Sequence, residues 1–228
     1  MALTVGVHHQ QTVLMPGDVL LKISGGGLVH NVIAAGQFLT SPLSRHAKTV
    51  HAAIYTRDHP VHENSGMIAE SSGNGLLEAA IGACRPPTDQ DTWKVYRFIG
   101  DGRVVDQAAD VASKLIQRHA NDQHFGAYDY AASVTSVVKP TSNPLGQQGF
   151  ENNLALMEQR CFFCSNFVVA CYAVACEITE HASFYAIPKN MENVTPGELA
   201  QYFEDVDFGG GGGGLWMRLG GTQARLTA

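Results

Sequence analysis

The stretch from Ser165 to Thr179 constrains the fold more than any other part of the chain. Its residues are mostly Val, Ala, Cys, Phe and Tyr, so a helix formed here would be apolar on nearly every side. Such a helix is stable only when other elements surround it. The sequence therefore predicts a central buried helix, and Cys164 stands immediately before it.

The rest of the chain predicts strands and further helices around this element. At 228 residues it is long enough for one α/β or α+β domain and short for two. Apolar runs bounded by turn residues predict strands at Val19–Ile23, Val50–Thr56, Met67–Ser71, Leu76–Ile81 and Trp93–Ile99. Helical spacing of apolar residues predicts helices at Val104–His119 and, opened by Pro196-Gly197-Glu198, up to Phe203. A further helix is predicted at Val29–Phe38.

An unbroken glycine run, Gly209–Gly214, separates a domain of residues 1–208 from a tail. Glycine leaves the backbone free to adopt many conformations, so this run predicts a linker. Leu215 and Trp216 are two apolar anchors through which the tail could dock, and disorder is the favoured alternative. We therefore expect residues 209–228 to be a linker and a flexible C-terminal segment.

Composition excludes several classes of protein. A net charge of −6 and the absence of a basic stripe argue against a nucleic-acid binder. No apolar run reaches the roughly 18–20 residues that cross a bilayer, so no transmembrane segment is expected. The residues from Met1 to Thr12 lack the apolar core of a signal peptide. Synthesis in the cytoplasm is the expectation, with any export by another route.

The cysteines indicate free thiols rather than a disulfide framework. There are five, an odd number, and four lie between Cys161 and Cys176. Cys161-x-x-Cys164 has the spacing of a metal half-site or a redox pair, but a second pair is lacking and two phenylalanines intervene. Cys164 is either a small core residue or a nucleophile, since the unpaired N–H groups of a helix N-terminus favour a thiolate.

Of the ten histidines, His51 is best placed to serve as a base. Strand alternation puts it on one face with Ala53 and Tyr55, where the small Ala53 leaves room for a helix end. A histidine inside a sheet needs a partner or a function. The alternative is a core histidine bonded to backbone.

A third group is needed to orient the imidazole. Glu70, between apolar residues of the next predicted strand, is the first candidate, because a buried carboxylate is costly unless it is paired. A strand-edge glutamate in water is the alternative interpretation. Asp58 and His62, both in a predicted loop, remain alternatives for the orienting role.

Taken in order, these segments resemble the circularly permuted branch of the NlpC-like papain superfamily, which includes YiiX-like proteins and relatives of lecithin:retinol acyltransferase. The resemblance covers roughly residues 14–180 and rests on Gly17-Asp18-Val19-Leu20, His51-Ala52-Ala53-Ile54-Tyr55, Ile68-Ala69-Glu70-Ser71, Tyr128-Asp129-Tyr130 and Phe163-Cys164-Ser165-Asn166-Phe167-Val168. It implies a papain-like α+β fold with an antiparallel sheet packed against a central cysteine-bearing helix.

The resemblance also implies a chemistry. Cys164 matches the nucleophile, His51 the base and Glu70 the polar residue of YiiX-like relatives. The acyltransferase relatives have a histidine in that third role, and this chain departs from them there. Asn166, where YiiX-like members often carry an acidic residue, is a lesser departure. The implied reaction is amide hydrolysis through an acyl-enzyme, often of peptides in bacterial cell wall, with no metal or organic cofactor.

Three functions follow as hypotheses. The first is a cell-wall peptide amidase acting as a toxin-like antibacterial effector, with a secretion-apparatus carrier or an immunity protein as partner. The second is an acyltransferase, thioesterase or lipid hydrolase, which predicts an apolar groove lined by Phe162, Phe163 and Phe167. The third is a non-catalytic binding module in which Cys164 and His51 are structural.

Overall fold

The fold is known from a computed structural model, which describes residues 4–5, 12–23, 46, 48–82, 92–128, 161–179, 186–187, 194–204 and 215–225. The strands are β1 Thr4–Val5, β2 Thr12–Val13, β3 Val19–Ile23, β4 Thr49–Asp58, β5 Ser65–Ser72, β6 Gly75–Gly82, β7 Thr92–Phe98, β8 Ala127–Tyr128, β9 Cys161–Phe162 and β10 Trp216–Arg225. The helices are α1 Gly102–Asn121, α2 Cys164–Ile178 and α3 Pro196–Glu204. None of these helices has the length and apolar character needed to cross a membrane.

One antiparallel sheet of six strands organises the described residues. Its order is β10-β7-β3-β4-β5-β6, with every neighbouring pair antiparallel. The strands β1 and β2 pair separately, and β8 pairs with β9 in parallel. The chain is therefore α+β, as predicted, and each of the predicted strands is present. The predicted helix at Val29–Phe38 lies outside the described residues.

The helices pack on one face of the sheet and leave a smaller core on the other. Ala52, Ile54 and Ala69 belong to the larger core, together with buried residues of all the described helices. Ala53 and Tyr55 belong to the smaller core. The prediction that Ala53 makes room for the helix end is wrong, because Ala53 packs in the smaller core, which contains no residue of the described helices.

Helix α2 occupies the predicted central position. Every residue from Cys164 to Ala173 is buried. The Tyr172 hydroxyl donates a hydrogen bond of 2.6 Å to the carbonyl oxygen of Gly17, in the turn that leads into β3. Gly17 has φ +90°, and a Cβ built there would lie 2.4 Å from Cγ1 of Val105, so only glycine fits between the two helices and the sheet.

The segment after the glycine run joins the sheet as β10. Trp216 is 5% exposed. Its indole N–H donates a hydrogen bond of 2.6 Å to the carbonyl oxygen of Ala186, and its ring centroid lies 4.2 Å from that of Phe203. The prediction of a flexible tail is wrong for Trp216–Arg225, because β7 offers an edge to pair with and the core accepts the indole. Gly209–Gly214 lies outside the described residues.

We predict that Trp216→Ala lowers the free energy of unfolding by about 3–5 kcal/mol, the usual cost of removing a buried tryptophan. Met217→Ala is the matched control, because Met217 is the next residue of β10 and is 44% exposed. It should change stability by about 0.5 kcal/mol or less. Urea unfolding of both variants measures the difference. Equal stabilities would mean that β10 is not held by its tryptophan.

Candidate active site

The adjacent strands β4 and β5 bring His51 and Glu70 together. Glu70 pairs with Ala53 across the two strands, which places it diagonally opposite His51, within reach of a long side chain. His51 Nε2 and Glu70 Oε2 are 2.8 Å apart. Their side chains are only 13% and 16% exposed, so water screens the interaction weakly. The buried carboxylate has the partner that its position demands.

A bulge adjoins His51. Lys22 of β3 pairs with His51, but the next residue, Ile23, pairs with Thr49 rather than Val50. One residue of β4 is therefore extra, and such a bulge bends a strand and redirects neighbouring side chains. His51 near the beginning of β4 and Glu70 near the end of β5 lie at the same end of the sheet.

Side-chain hydrogen bonds hold the N-terminus of α2 at this end of the sheet. The Ser71 hydroxyl donates to the carbonyl oxygen of Phe162 at 2.9 Å. The backbone N–H of Phe163, which caps the helix, donates to Oδ1 of Asn166 at 2.8 Å. Both bonds are made by the peptide unit that joins Phe162 to Phe163, just before Cys164, the first residue of α2. The backbone that leads into the thiol-bearing residue is thus fixed at that peptide.

The thiol of Cys164 lies beside the His51 imidazole, close enough to raise the pKa of the ring. Because Glu70 occupies Nε2, Nδ1 is the ring nitrogen that remains for the sulfur. Burial lowers the pKa of His51, but the negative charges of Cys164 and then Glu70, with their hydrogen bonds, outweigh it and raise the pKa to about 10. The imidazole is therefore a strong proton acceptor placed between a thiol and a carboxylate.

The Trp93 ring packs beside the His51 imidazole. Its ring meets that of His51 edge-on, with centroids 6.3 Å apart and planes at 60°. Trp93 pairs with Lys22, which in turn pairs with His51, so the three residues form one row across β7, β3 and β4. Sequence reasoning missed both Trp93 and Ser71. Both residues reach the site through the pairing register of the strands. That register cannot be inferred from any local sequence pattern.

The alternative orienting residues lie elsewhere. Asp58 accepts a hydrogen bond of 2.6 Å from the hydroxyl of Tyr55. The backbone N–H of His62 donates to Nδ1 of His59 at 3.0 Å, within the loop between β4 and β5. Glu70 is thus the carboxylate that the structure joins to His51.

The three phenylalanines that the second hypothesis placed along an apolar groove do not line one. Phe162, Phe163 and Phe167 are 0%, 1% and 0% exposed, so they fill the core under α2 and do not line a surface. Phe162 packs its edge against Phe167, with centroids 6.1 Å apart. The apolar sequence around Cys164 therefore reflects the burial of the helix.

The remaining described thiols have other surroundings. Cys171 and Cys176 are buried in α2, and burial raises the pKa of both, that of Cys176 to about 12. Cys84 and the Cys161 side chain lie outside what the structure describes. Within the described ranges, no group of three or more His, Cys, Asp or Glu side chains is arranged to hold a metal ion.

Comparisons of the chain with protein-family models, with curated proteins and with solved structures found no match. The side chains themselves indicate what the site can do. A thiol, an imidazole and a carboxylate in this order supply a nucleophile, a proton acceptor and a group that orients it.

We predict that Glu70→Gln and Cys164→Ser each lower the pKa of His51, because each removes a negative charge beside the imidazole. Because the pKa is raised from 6.5 to about 10, protonated His51 stabilises the fold fully below pH 6.5, and this stabilisation is lost as the pH rises toward about 10. NMR titration of the His51 ring measures the shift.

Glu63→Gln is the control for this titration, since Glu63 is an exposed carboxylate in the loop between the same two strands. It should leave the His51 titration unchanged. A wild-type His51 that titrates at the same pH as in Glu70→Gln and Cys164→Ser would contradict the described geometry.

Proposed function

We propose that this protein is a cysteine hydrolase of the permuted NlpC-like papain type, which cleaves an amide bond through an acyl-enzyme. The observation that carries the proposal is the meeting of Cys164, His51 and Glu70 at one end of the sheet. The α+β fold, with a buried cysteine-bearing helix packed on an antiparallel sheet, is compatible with the proposed family.

In the proposed mechanism, His51 accepts the proton of the Cys164 thiol and the sulfur attacks the carbonyl carbon. The imidazolium then donates that proton to the leaving amine, and the C–N bond breaks to leave a thioester. His51 next accepts a proton from water, which attacks the thioester and releases the acid and the thiol. Glu70 stabilises the imidazolium throughout.

The N-terminus of α2 has a second part in the proposal. The negative oxygen that develops during attack requires donors that are already oriented toward it. The backbone N–H of Cys164 belongs to the first turn of α2, where helix N–H groups have no partner within the helix. The Asn166 side chain caps Phe163 and leaves the N–H of Cys164 for the oxyanion.

For the substrate, we propose a peptide bond of bacterial peptidoglycan, and we propose the periplasm of a target cell as the place of action because that substrate lies there. A secretion-apparatus carrier and an immunity protein are the partners that this role requires. The burial of Phe162, Phe163 and Phe167 gives no support to an acyl-chain groove at this position.

We predict that purified protein releases peptides from muropeptides and that Cys164→Ala reduces this rate by several orders of magnitude. Cys176→Ala is the matched control, since Cys176 is a buried cysteine of the same helix away from His51, and it should retain activity. Liquid chromatography of muropeptide digests, with acyl esters assayed in parallel, is the measurement. Turnover of acyl esters alone would replace the amidase by a thioesterase or acyltransferase.

Expression in cells gives a second test of the proposed function. Wild-type protein directed to the periplasm should lyse cells, and Cys164→Ala should not. If both proteins lyse cells equally and neither cuts muropeptides or esters, the protein is a binding module and the proposed function is wrong.

A further inference from the structure

Two neighbouring residues of β5 hold the two halves of the candidate dyad. Glu70 bonds the imidazole of His51 through Nε2, at 2.8 Å. Ser71, the next residue, bonds the carbonyl oxygen of Phe162 at 2.9 Å, two residues before Cys164. Because successive strand residues point to opposite faces, Glu70 reaches toward the histidine and Ser71 toward the helix.

The bond made by Ser71 is a long-range link between β5 and the chain that enters α2, beside the pairing of β9 with β8. Its hydroxyl is fully buried, so no water competes for the Phe162 carbonyl. The neighbouring N–H of Phe163 is taken by Asn166, which belongs to α2 itself and therefore fixes the turn but not its distance from the sheet. The Ser71 bond ties this segment directly to β5, the strand that carries Glu70.

We infer that Ser71 is a positioning residue that fixes Cys164 against His51. It acts through the Phe162 carbonyl, which its hydroxyl bonds. The inference rests on the proposed function, in which these two side chains react together. Because β5 carries both Glu70 and Ser71, one strand contacts both the histidine and the segment that leads into Cys164.

This arrangement has a kinetic consequence. A displacement of a reacting group by about 1 Å can cost about 100-fold in rate, even when substrate binding is unchanged. Loss of the Ser71 hydroxyl should therefore lower kcat by about tenfold to a hundredfold with little change in KM. A residue that contributes only to stability would leave kcat per folded molecule unchanged.

The test compares Ser71→Ala with Ser65→Ala by NMR titration of the His51 ring. Ser65 is a matched control because it lies on the same strand, is equally buried, and donates its hydroxyl to a backbone carbonyl, that of Glu63, at 3.3 Å. If Ser71 positions Cys164, Ser71→Ala weakens the influence of Cys164 and lowers the pKa of His51. Ser65→Ala leaves that pKa at its wild-type value.

Ser71→Thr and Ser71→Val form a second comparison, which can be used even if Ser71→Ala does not fold. The two side chains have the same shape, and only threonine retains the hydroxyl. Threonine should restore the wild-type titration and valine should not. Equal titrations for Ser71→Thr and Ser71→Val, or for Ser71→Ala and wild type, would overturn the inference.

The titration needs no substrate, so it separates the two proposals. A shift in Ser71→Ala together with a wild-type protein that hydrolyses nothing supports the positioning role and rejects the hydrolase. Hydrolysis by the wild type with an unchanged kcat in Ser71→Ala rejects the positioning role alone.

Discussion

The hydrogen bond between His51 and Glu70 is the interaction on which the site depends. A carboxylate largely removed from water is costly unless a donor faces it, and an imidazole in the same surroundings loses its charge unless an anion compensates. Each residue therefore lowers the free-energy cost of burying the other in its charged form. Their 2.8 Å contact leaves one ring nitrogen for Cys164 and fixes the direction in which it points.

The packing of helix α2 against the sheet places the Cys164 sulfur near the remaining ring nitrogen of His51. Helix α2 is apolar on nearly all sides and is buried against the sheet, with Tyr172 bonded to the turn before β3. Ser71 and Asn166 fix the backbone just before and at the beginning of the helix. The helix is thus held along its length by hydrophobic contacts and at its N-terminus by hydrogen bonds. The N-terminus carries Cys164, and a reactive side chain must be held in an accurate position.

Much of this arrangement follows from the sequence for physical reasons. The burial of α2 was predictable because no face of Ser165–Thr179 can meet water without cost. The strand at Val19–Ile23 was predictable from its apolar run and flanking turns, and it has those bounds. Glu70 was identifiable as a candidate because a carboxylate between apolar residues demands a partner. Each of these features depends on a short segment of the chain, so it can be predicted from the local sequence pattern.

What the sequence did not predict depends on pairing over long separations. The glycine run favoured a flexible tail, yet β10 pairs with β7 because an unpaired strand edge and a pocket for Trp216 are available. The face of β4 on which α2 packs was predicted wrongly, since alternation gives two faces without saying which one meets a helix. Trp93 and Ser71 reach the site only through strand register, which a single strand cannot encode.

The most direct test of the central claim is alkylation of Cys164 by iodoacetamide at neutral pH, followed by mass spectrometry in the wild type and in His51→Ala. An imidazole beside a thiol accepts its proton and makes the sulfur a better nucleophile, so Cys164 of the wild type should be alkylated ahead of Cys171 and Cys176, whose pKa is raised by burial. In His51→Ala this preference for Cys164 should be lost. Equal rates of alkylation at Cys164 in the wild type and in His51→Ala would contradict the pairing of sulfur and imidazole.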